Sequence, residues 1–434
     1  MDISLLNQNL VVCFSLIAAT AVTFIITHAR KKWFKKKRPF YIVGISLAGA
    51  IIIEVLVHLE YSSGLPTLLW LMVFPFTFSI GVVVPAWKNK LKWLKWLALG
   101  NVVVCFAFSL ILINGYYRLY PTLYSVFNVE DRKQALEQTT VKYSNSVNQK
   151  TNNTIESSLY SSSKSTNGRV FSLSIPGKVS KFQARTAWVY MPAVASSPGR
   201  INLPVVVLTA GYPGLPSNWI GSGLATTMDQ FAKLHHGITP IIFMVDNTGS
   251  LTNDTECVNS PRGNVETYLT VDVPNYIKAH YEVSDNPANW AIGGLSLGGT
   301  CSVMLALRHP NIYHYFLDFG GEIGPEVGSK QKTIDELFDG SEQAWAAHQP
   351  LLLLQKNKYK GMGGYFAIGN DDNLTIVNDM GILYQASKAA GIESIYEEIG
   401  GQHTFAVWQQ AYKDALPWLS NRLGATECSA SCTQ

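Results

Sequence analysis

The chain has no paired Cys-x-x-Cys and no His-Glu-x-x-His, so the spacings that usually hold zinc are missing, and no metal site is expected. Cofactor motifs and internal repeats are missing too, so no cofactor is expected. Six cysteines in 434 residues are too few for a disulfide-framed scaffold, and 34 glycines without a three-residue period exclude a collagenous chain. A hydrophobic share of 47% excludes disorder throughout. Acids are missing from two short stretches that together hold eleven of the 34 Lys and Arg. Without those eleven, 23 cations face 30 acids, a net of −7 behind the formal +4. The basic surplus that a nucleic-acid surface needs is therefore lacking, and nucleic acid is not expected as a partner.

The mean hydropathy of +0.10 averages two unlike parts. Spanning about 30 Å of hydrocarbon takes roughly 20 helical residues. Four stretches within residues 1–117 reach that length: Leu10 to Thr27, Tyr41 to Leu59, Thr67 to Trp87 and Trp96 to Tyr116. Tyr41, Tyr61, Trp87, Trp93, Trp96, Tyr116 and Tyr117 sit at their ends, where amphipathic rings favour the headgroup level. The pattern predicts a four-span membrane anchor. Its first loop holds Arg30, Lys31, Lys32, Lys35, Lys36, Lys37 and Arg38, and its third holds Lys88, Lys90, Lys92 and Lys95. The positive-inside bias places both in the cytoplasm, so the N-terminus and everything after Tyr117 are expected outside a bacterial-type plasma membrane. No positive charge precedes the first apolar run, so it does not read as a cleaved signal peptide. Glu54 and His58 lie one turn apart in the second span, and a pair snorkelling to the interface accounts for them better than an ion path.

Residues 118–167 are rich in Ser, Thr, Asn and Gln and read as a polar linker. From 168 to 423, short apolar runs alternate with helical segments. The runs are Val170 to Ile175, Arg185 to Met191, Leu203 to Ala210, Thr239 to Asp246, Asn289 to Gly294 and Gly363 to Gly369. Continuous apolar strands separated by helices predict a doubly wound, mostly parallel α/β sheet covered on both faces. Residues 424–434 form a tail carrying Cys428 and Cys432.

Gly294-Leu295-Ser296-Leu297-Gly298 gives G-x-S-x-G between a predicted strand and a predicted helix. That setting makes Ser296 a candidate nucleophile on an elbow whose neighbours, Gly294 and Gly298, must be small. A Ser hydroxyl is a weak nucleophile and needs a base held by a third group. Downstream, a strand runs into Asn370-Asp371-Asp372, and His403 follows two glycines. Asp372 is preferred over Asp371 as the acid. His403 is preferred over the other eight His, of which His309 reads as a cap on the nucleophile helix. The oxyanion donors expected are the N–H of Leu297 and that of Tyr212, in the loop Ala210-Gly211-Tyr212-Pro213-Gly214 after an early strand.

FQARTAWVYMP, LTAGYPG, GGLSLGGT, GNDD and GGQHTFAVW together resemble the esterase D and bacterial mycolyltransferase group of α/β-hydrolases, over about Val170 to Leu419. The resemblance implies an α/β-hydrolase fold, a triad at Ser296, Asp372 and His403, and oxyanion amides at Leu297 and Tyr212. Many of that group carry His or Asp before the early-loop glycine, and in the mycolyltransferases the Asp helps hold the sugar acceptor. Ala210 stands there in this chain, which argues against trehalose mycolyl transfer but not against acyl transfer.

Outside the predicted spans, Cys257, Cys301, Cys428 and Cys432 allow three pairings, and Cys257 with Cys301 and Cys428 with Cys432 is favoured. The expectation is a membrane-anchored, extracytoplasmic serine esterase or acyltransferase that takes an acyl ester or lipid and passes the acyl group to water or to a sugar or lipid acceptor. The competing expectation is a silent hydrolase-fold binding or envelope-organising module, since fold alone does not prove turnover. A transporter is disfavoured by the apolar spans.

Overall fold

The computed structural model describes residue 5 and residues 8–28, 38–60, 69–87, 91–117, 167–196 and 203–425. Lys31 to Lys37, Lys88, Lys90, nearly all of the polar linker, Cys428 and Cys432 lie outside them. The chain forms two compact units, Met1–Phe127 and Asn128–Gln434.

The first unit has helices α1 (Gln8–His28), α2 (Arg38–Glu60), α3 (Leu69–Trp87) and α4 (Lys92–Tyr117). These fall on the four apolar stretches. Among the described residues one of them, Lys92–Tyr117, is long and apolar enough to cross a membrane. The apolar helical stretches of the others, Val11–Val22, Phe40–Leu56 and Leu69–Val83, are shorter. Along α4 small and polar side chains are among the buried ones and large apolar ones among the exposed. Ala98, Asn101, Cys105 and Ser109 are buried, while Trp96, Val103, Phe106 and Leu110 are exposed. Glu54 accepts a hydrogen bond from the N–H of Trp70 at 3.1 Å, so it serves a first-turn amide of α3 that has no intrahelical acceptor.

In the second unit an eight-stranded sheet is built from β1 (Arg169–Leu173), β2 (Ala187–Met191), β3 (Val205–Thr209), β4 (Ile241–Val245), β7 (Trp290–Leu295), β8 (Tyr315–Phe319), β9 (Gly363–Gly369) and β10 (Glu393–Ile399). A small hairpin of β5 (Asn259–Ser260) and β6 (Gly263–Asn264) stands apart. The strand order is β1-β2-β4-β3-β7-β8-β9-β10, parallel from β4 to β10, with β1 and β2 antiparallel at one edge. β8 was not among the expected strands, because Asp318 interrupts its apolar run.

Side-chain alternation along each strand divides the core between the two faces. Val205, Val207, Phe243, Ile292, Phe316 and Phe366 point to one face. α6 (Val273–His280), α7 (Leu297–Arg308) and the later helix Leu374–Ala389 cover it. Val206, Leu208, Met244, Leu317 and Tyr365 point to the other, under α5 (Leu224–Leu234) and the last helix, Phe405–Arg422. Each such buried side chain contributes about 1.5–3 kcal/mol relative to exposure. Between α7 and β9 come α8 (Lys330–Leu337), α9 (Glu342–Ala346) and α10 (Pro350–Lys356), helices of eight, five and seven residues, too short to show a helical period in the sequence. The two long helices after them are α11 (Leu374–Ala389) and α12 (Phe405–Arg422).

Winding starts at β3, runs outward to β4 and returns past β3 to β7. The loops after β3 and β7 therefore flank the point where the order reverses, beyond the carboxyl ends of the strands, where open α/β sheets form their sites.

Candidate active site

β7 ends at Leu295 and α7 begins at Leu297, so Ser296 alone turns the chain, at φ 54° and ψ −125°. A non-glycine residue held at positive φ is strained, and the surroundings must hold it there. Its own N–H donates to the carbonyl of Phe319 in β8 at 2.9 Å, and its carbonyl accepts from Gly299 and Thr300 as the first turn of α7. Gly294 and Gly298 allow this turn. A Cβ on Gly294 would collide with the Gly298 backbone, and one on Gly298 would lie 2.7 Å from the Thr209 carbonyl oxygen and 2.9 Å from that of Ala210.

His403 Nε2 lies 2.9 Å from Ser296 Oγ, and His403 Nδ1 lies 2.9 Å from Asp372 Oδ2. The other carboxylate oxygen of Asp372 accepts the N–H of Asn373 at 2.7 Å. Asp371 is exposed, its backbone N–H donating to the Gly401 carbonyl, while both His403 and Asp372 are buried. The loops after β9 and β10 are joined, with the Gly401 N–H donating to Asn370 Oδ1 at 3.1 Å and the Asn370 N–H donating to the Ile399 carbonyl at 2.9 Å. Trp408, one turn into α12, meets the imidazole edge to face at 4.8 Å. Gly320, at φ 72°, leaves room for both rings: a Cβ there would sit 3.4 Å from His403 Cε1 and 3.1 Å from Trp408 Nε1. A hydroxyl, an imidazole and a carboxylate in this sequence can move a proton off the hydroxyl while holding the ring in one tautomer.

The early loop lies against the elbow, since a Cβ on Gly211 would be 3.0 Å from Ser296 Cβ. Tyr212 follows it. Leu297 is the first residue of α7, a position whose N–H has no intrahelical acceptor. The loop is stitched down by the Trp219 indole N–H, which donates to the Thr209 carbonyl at 3.1 Å, and by Asn218 Oδ1, which accepts from the Leu215 N–H at 2.6 Å.

Cys257 and Cys301 form a disulfide, which ties α7 to the loop beyond β4. His309 is the C-cap residue of α7, but its ring goes elsewhere. His309 Nε2, His348 Nε2 and Arg308 Nε lie 2.7, 3.0 and 2.8 Å from the Glu266 carboxylate. Burial alone would raise the pKa of Glu266, yet these three hydrogen bonds hold it well below the usual range. This cluster is at the far end of α7 from Ser296.

Asp318, Gly320, Trp408 and Asn247 were not singled out in the sequence. Asp318 is fully buried in β8, where burial pushes its carboxyl up to about 7 against the opposing hydrogen bond from the Gly321 N–H at 2.8 Å. A lone Asp inside a hydrophobic strand was the available signal. Among the described residues no group of three or more His, Cys, Asp or Glu is placed to hold a metal ion.

The family model described as "Putative esterase" matches residues 182–419. An uncharacterized protein of Corynebacterium glutamicum is 39% identical over 252 residues, 56% of this chain and 59% of its own length. The diacylglycerol acyltransferase/mycolyltransferase Ag85A of Mycobacterium ulcerans is 28% identical over 191 residues, 37% of this chain and 56% of its own. The chain thus spans less than two thirds of the length of these curated relatives. A solved ferulic acid esterase aligns over 59% of this chain and 99% of its own, with a TM-score of 0.50 and 19% identity, a likeness of fold.

Proposed function

From the membership of this chain in that esterase family, whose model covers more than half of it, we propose that it is a membrane-anchored, extracytoplasmic serine esterase or acyltransferase. The observation that carries this reading is the hydrogen-bonded line Asp372–His403–Ser296, with both links at 2.9 Å. His403 takes the Ser296 proton as Oγ bonds to the ester carbonyl carbon. The carbonyl electrons move onto oxygen, where the N–H groups of Leu297 and Tyr212 receive the charge. Collapse breaks the bond to the leaving alcohol, which His403 protonates, and leaves an acyl group on Ser296. Water, or the hydroxyl of a sugar or lipid acceptor, then attacks with His403 again as base, releasing acid or a new ester. Asp372 fixes the tautomer that presents Nε2 to Ser296.

The substrate class follows from the family and from the Ag85A relative: an acyl ester or lipid. For anchoring, the support is α4, long and apolar, with Asn101 and Ser109 buried and Trp96, Val103 and Phe106 exposed, an arrangement suited to hydrocarbon surroundings. We assign 1–117 to a four-span anchor with an extracytoplasmic N-terminus, 118–167 to a linker, 168–423 to the catalytic domain and 424–434 to a tail.

The test is hydrolysis of p-nitrophenyl esters of increasing chain length by the full chain in detergent, with a sugar acceptor titrated in. Ser296→Ala lowers kcat by about 10⁴-fold or more and Asp372→Asn by about 10⁴-fold. Acceleration by the acceptor with an acylated product identifies a transferase, and release indifferent to it identifies an esterase. Release that does not depend on Ser296 would overturn the reading.

A further inference from the structure

Asn247 follows β4 by two residues and is 1% exposed, lying between the early loop and the disulfide. Its Nδ2 is 3.0 Å from the Ala210 carbonyl oxygen and 3.8 Å from Cys257 Sγ. A carbonyl oxygen only accepts, so the amide nitrogen must face it, and the contact is a donated hydrogen bond. Ala210 is 1% exposed, so its carbonyl depends on such a partner inside the protein. Asn247 is held in turn. Its backbone carbonyl accepts from Thr255 Oγ1 at 2.5 Å, and Thr255 Oγ1 accepts from the Cys257 N–H at 3.2 Å. Cys257 is bonded to Cys301, on α7 five residues beyond Ser296. One buried carboxamide therefore links the loop after β3 to a covalent strut ending on the nucleophile helix.

We infer that Asn247 is a positioning residue for the oxyanion loop, fixing the Ala210-Gly211-Tyr212 backbone against the elbow through the Ala210 carbonyl and the Cys257–Cys301 bridge. The inference rests on the proposed serine mechanism. The Ala210 carbonyl belongs to the peptide that leads into Gly211, where a Cβ would come within 3.0 Å of Ser296 Cβ, and the Tyr212 N–H is the next amide along. If the first peptide rotates, the second moves with it. Displacing a catalytic group by about 1 Å can cost about 10²-fold in rate, and losing one oxyanion donor costs about 10²–10³-fold. An oxyanion donor acts on the transition state, so the loss falls on kcat and not on KM.

The test compares the full chain with Asn247→Ala and with Asn247→Asp, the second nearly isosteric but presenting an oxygen to the Ala210 carbonyl. Rates are divided by the sites titrated with a fluorophosphonate, so that unfolded protein does not enter, and Ser296→Ala is run beside them. The expected result is a kcat about 10- to 100-fold lower in both variants with KM within about twofold of the parent. Unchanged kcat per titrated site in both variants would overturn the inference, as would KM and kcat shifting together. Parent activity that survives Ser296→Ala would instead sink the serine mechanism, and the positioning role with it.

Discussion

Asp372 and Asp371 are adjacent, yet only one reaches His403, because β9 ends in a turn that buries the second carboxylate and exposes the first. Sequence order narrowed the acid to these two and preferred Asp372, the one whose Oδ2 lies 2.9 Å from His403 Nδ1. Deciding between them needed the turn geometry that the Asp372 N–H makes with the Gly369 carbonyl. Asp318 is a different case, a carboxyl with no role in the proton path and a carboxyl pKa pushed up to about 7 by burial. Because the native state holds this proton where the unfolded chain would release it, its contribution to stability is complete below about pH 4. It is lost as pH rises toward about 7. Asp318→Asn should therefore raise Tm at pH 8 and flatten the Tm profile between about pH 4 and 7, as read by calorimetry of the full chain. A profile unchanged by the substitution would mean that Asp318 is ionised, and accommodated, across that range.

The turn at Ser296 is one element made of a strand end, one strained residue and a helix start, and its flanking glycines stand where little space is left for a Cβ. Gly298→Ala would place a methyl group against the carbonyl oxygens of Thr209, at the end of β3, and Ala210, at the start of the early loop. Overpacking of this kind costs about 1–3 kcal/mol, and the displaced loop should lower kcat by about 10²-fold. Stopped kinetics and thermal melts of the same preparation check both. Gly298→Ala at parental activity would mean that the early loop is free to move away. The strands β3, β4, β7 and β9 were legible as unbroken apolar runs, and their helices as the segments between them. β8 was not, because an ionisable residue in mid-strand contradicts the pattern that marks a buried strand. The disulfide was legible for a topological reason, both cysteines lying beyond the carboxyl ends of neighbouring parts of the sheet.

At the scale of the whole molecule the two units differ in what they expose. In the α/β unit apolar side chains fill both faces of the sheet, whereas in the helical unit Phe40, Ile45, Trp96 and Val103 are exposed and Ser46, Ser79 and Asn101 are buried. Hydropathy alone revealed the four helices, but not which face of each turns inward, since nearly every position is apolar. If the helical unit sits in hydrocarbon, the full chain remains with membranes after alkaline carbonate extraction. Protease added to intact spheroplasts then removes the α/β unit. Release into the carbonate supernatant would contradict the anchor, and protection from protease would reverse its orientation.

Ser296 as the nucleophile is the step on which the proposed mechanism depends. The most direct measurement is a fluorophosphonate reaction of the folded full chain, followed by peptide mass spectrometry to locate the adduct. We predict one adduct, on Ser296, that disappears in Ser296→Ala and in protein unfolded before the reagent is added. A folded chain that takes no label at Ser296 would contradict the mechanism and leave a binding module on a hydrolase fold.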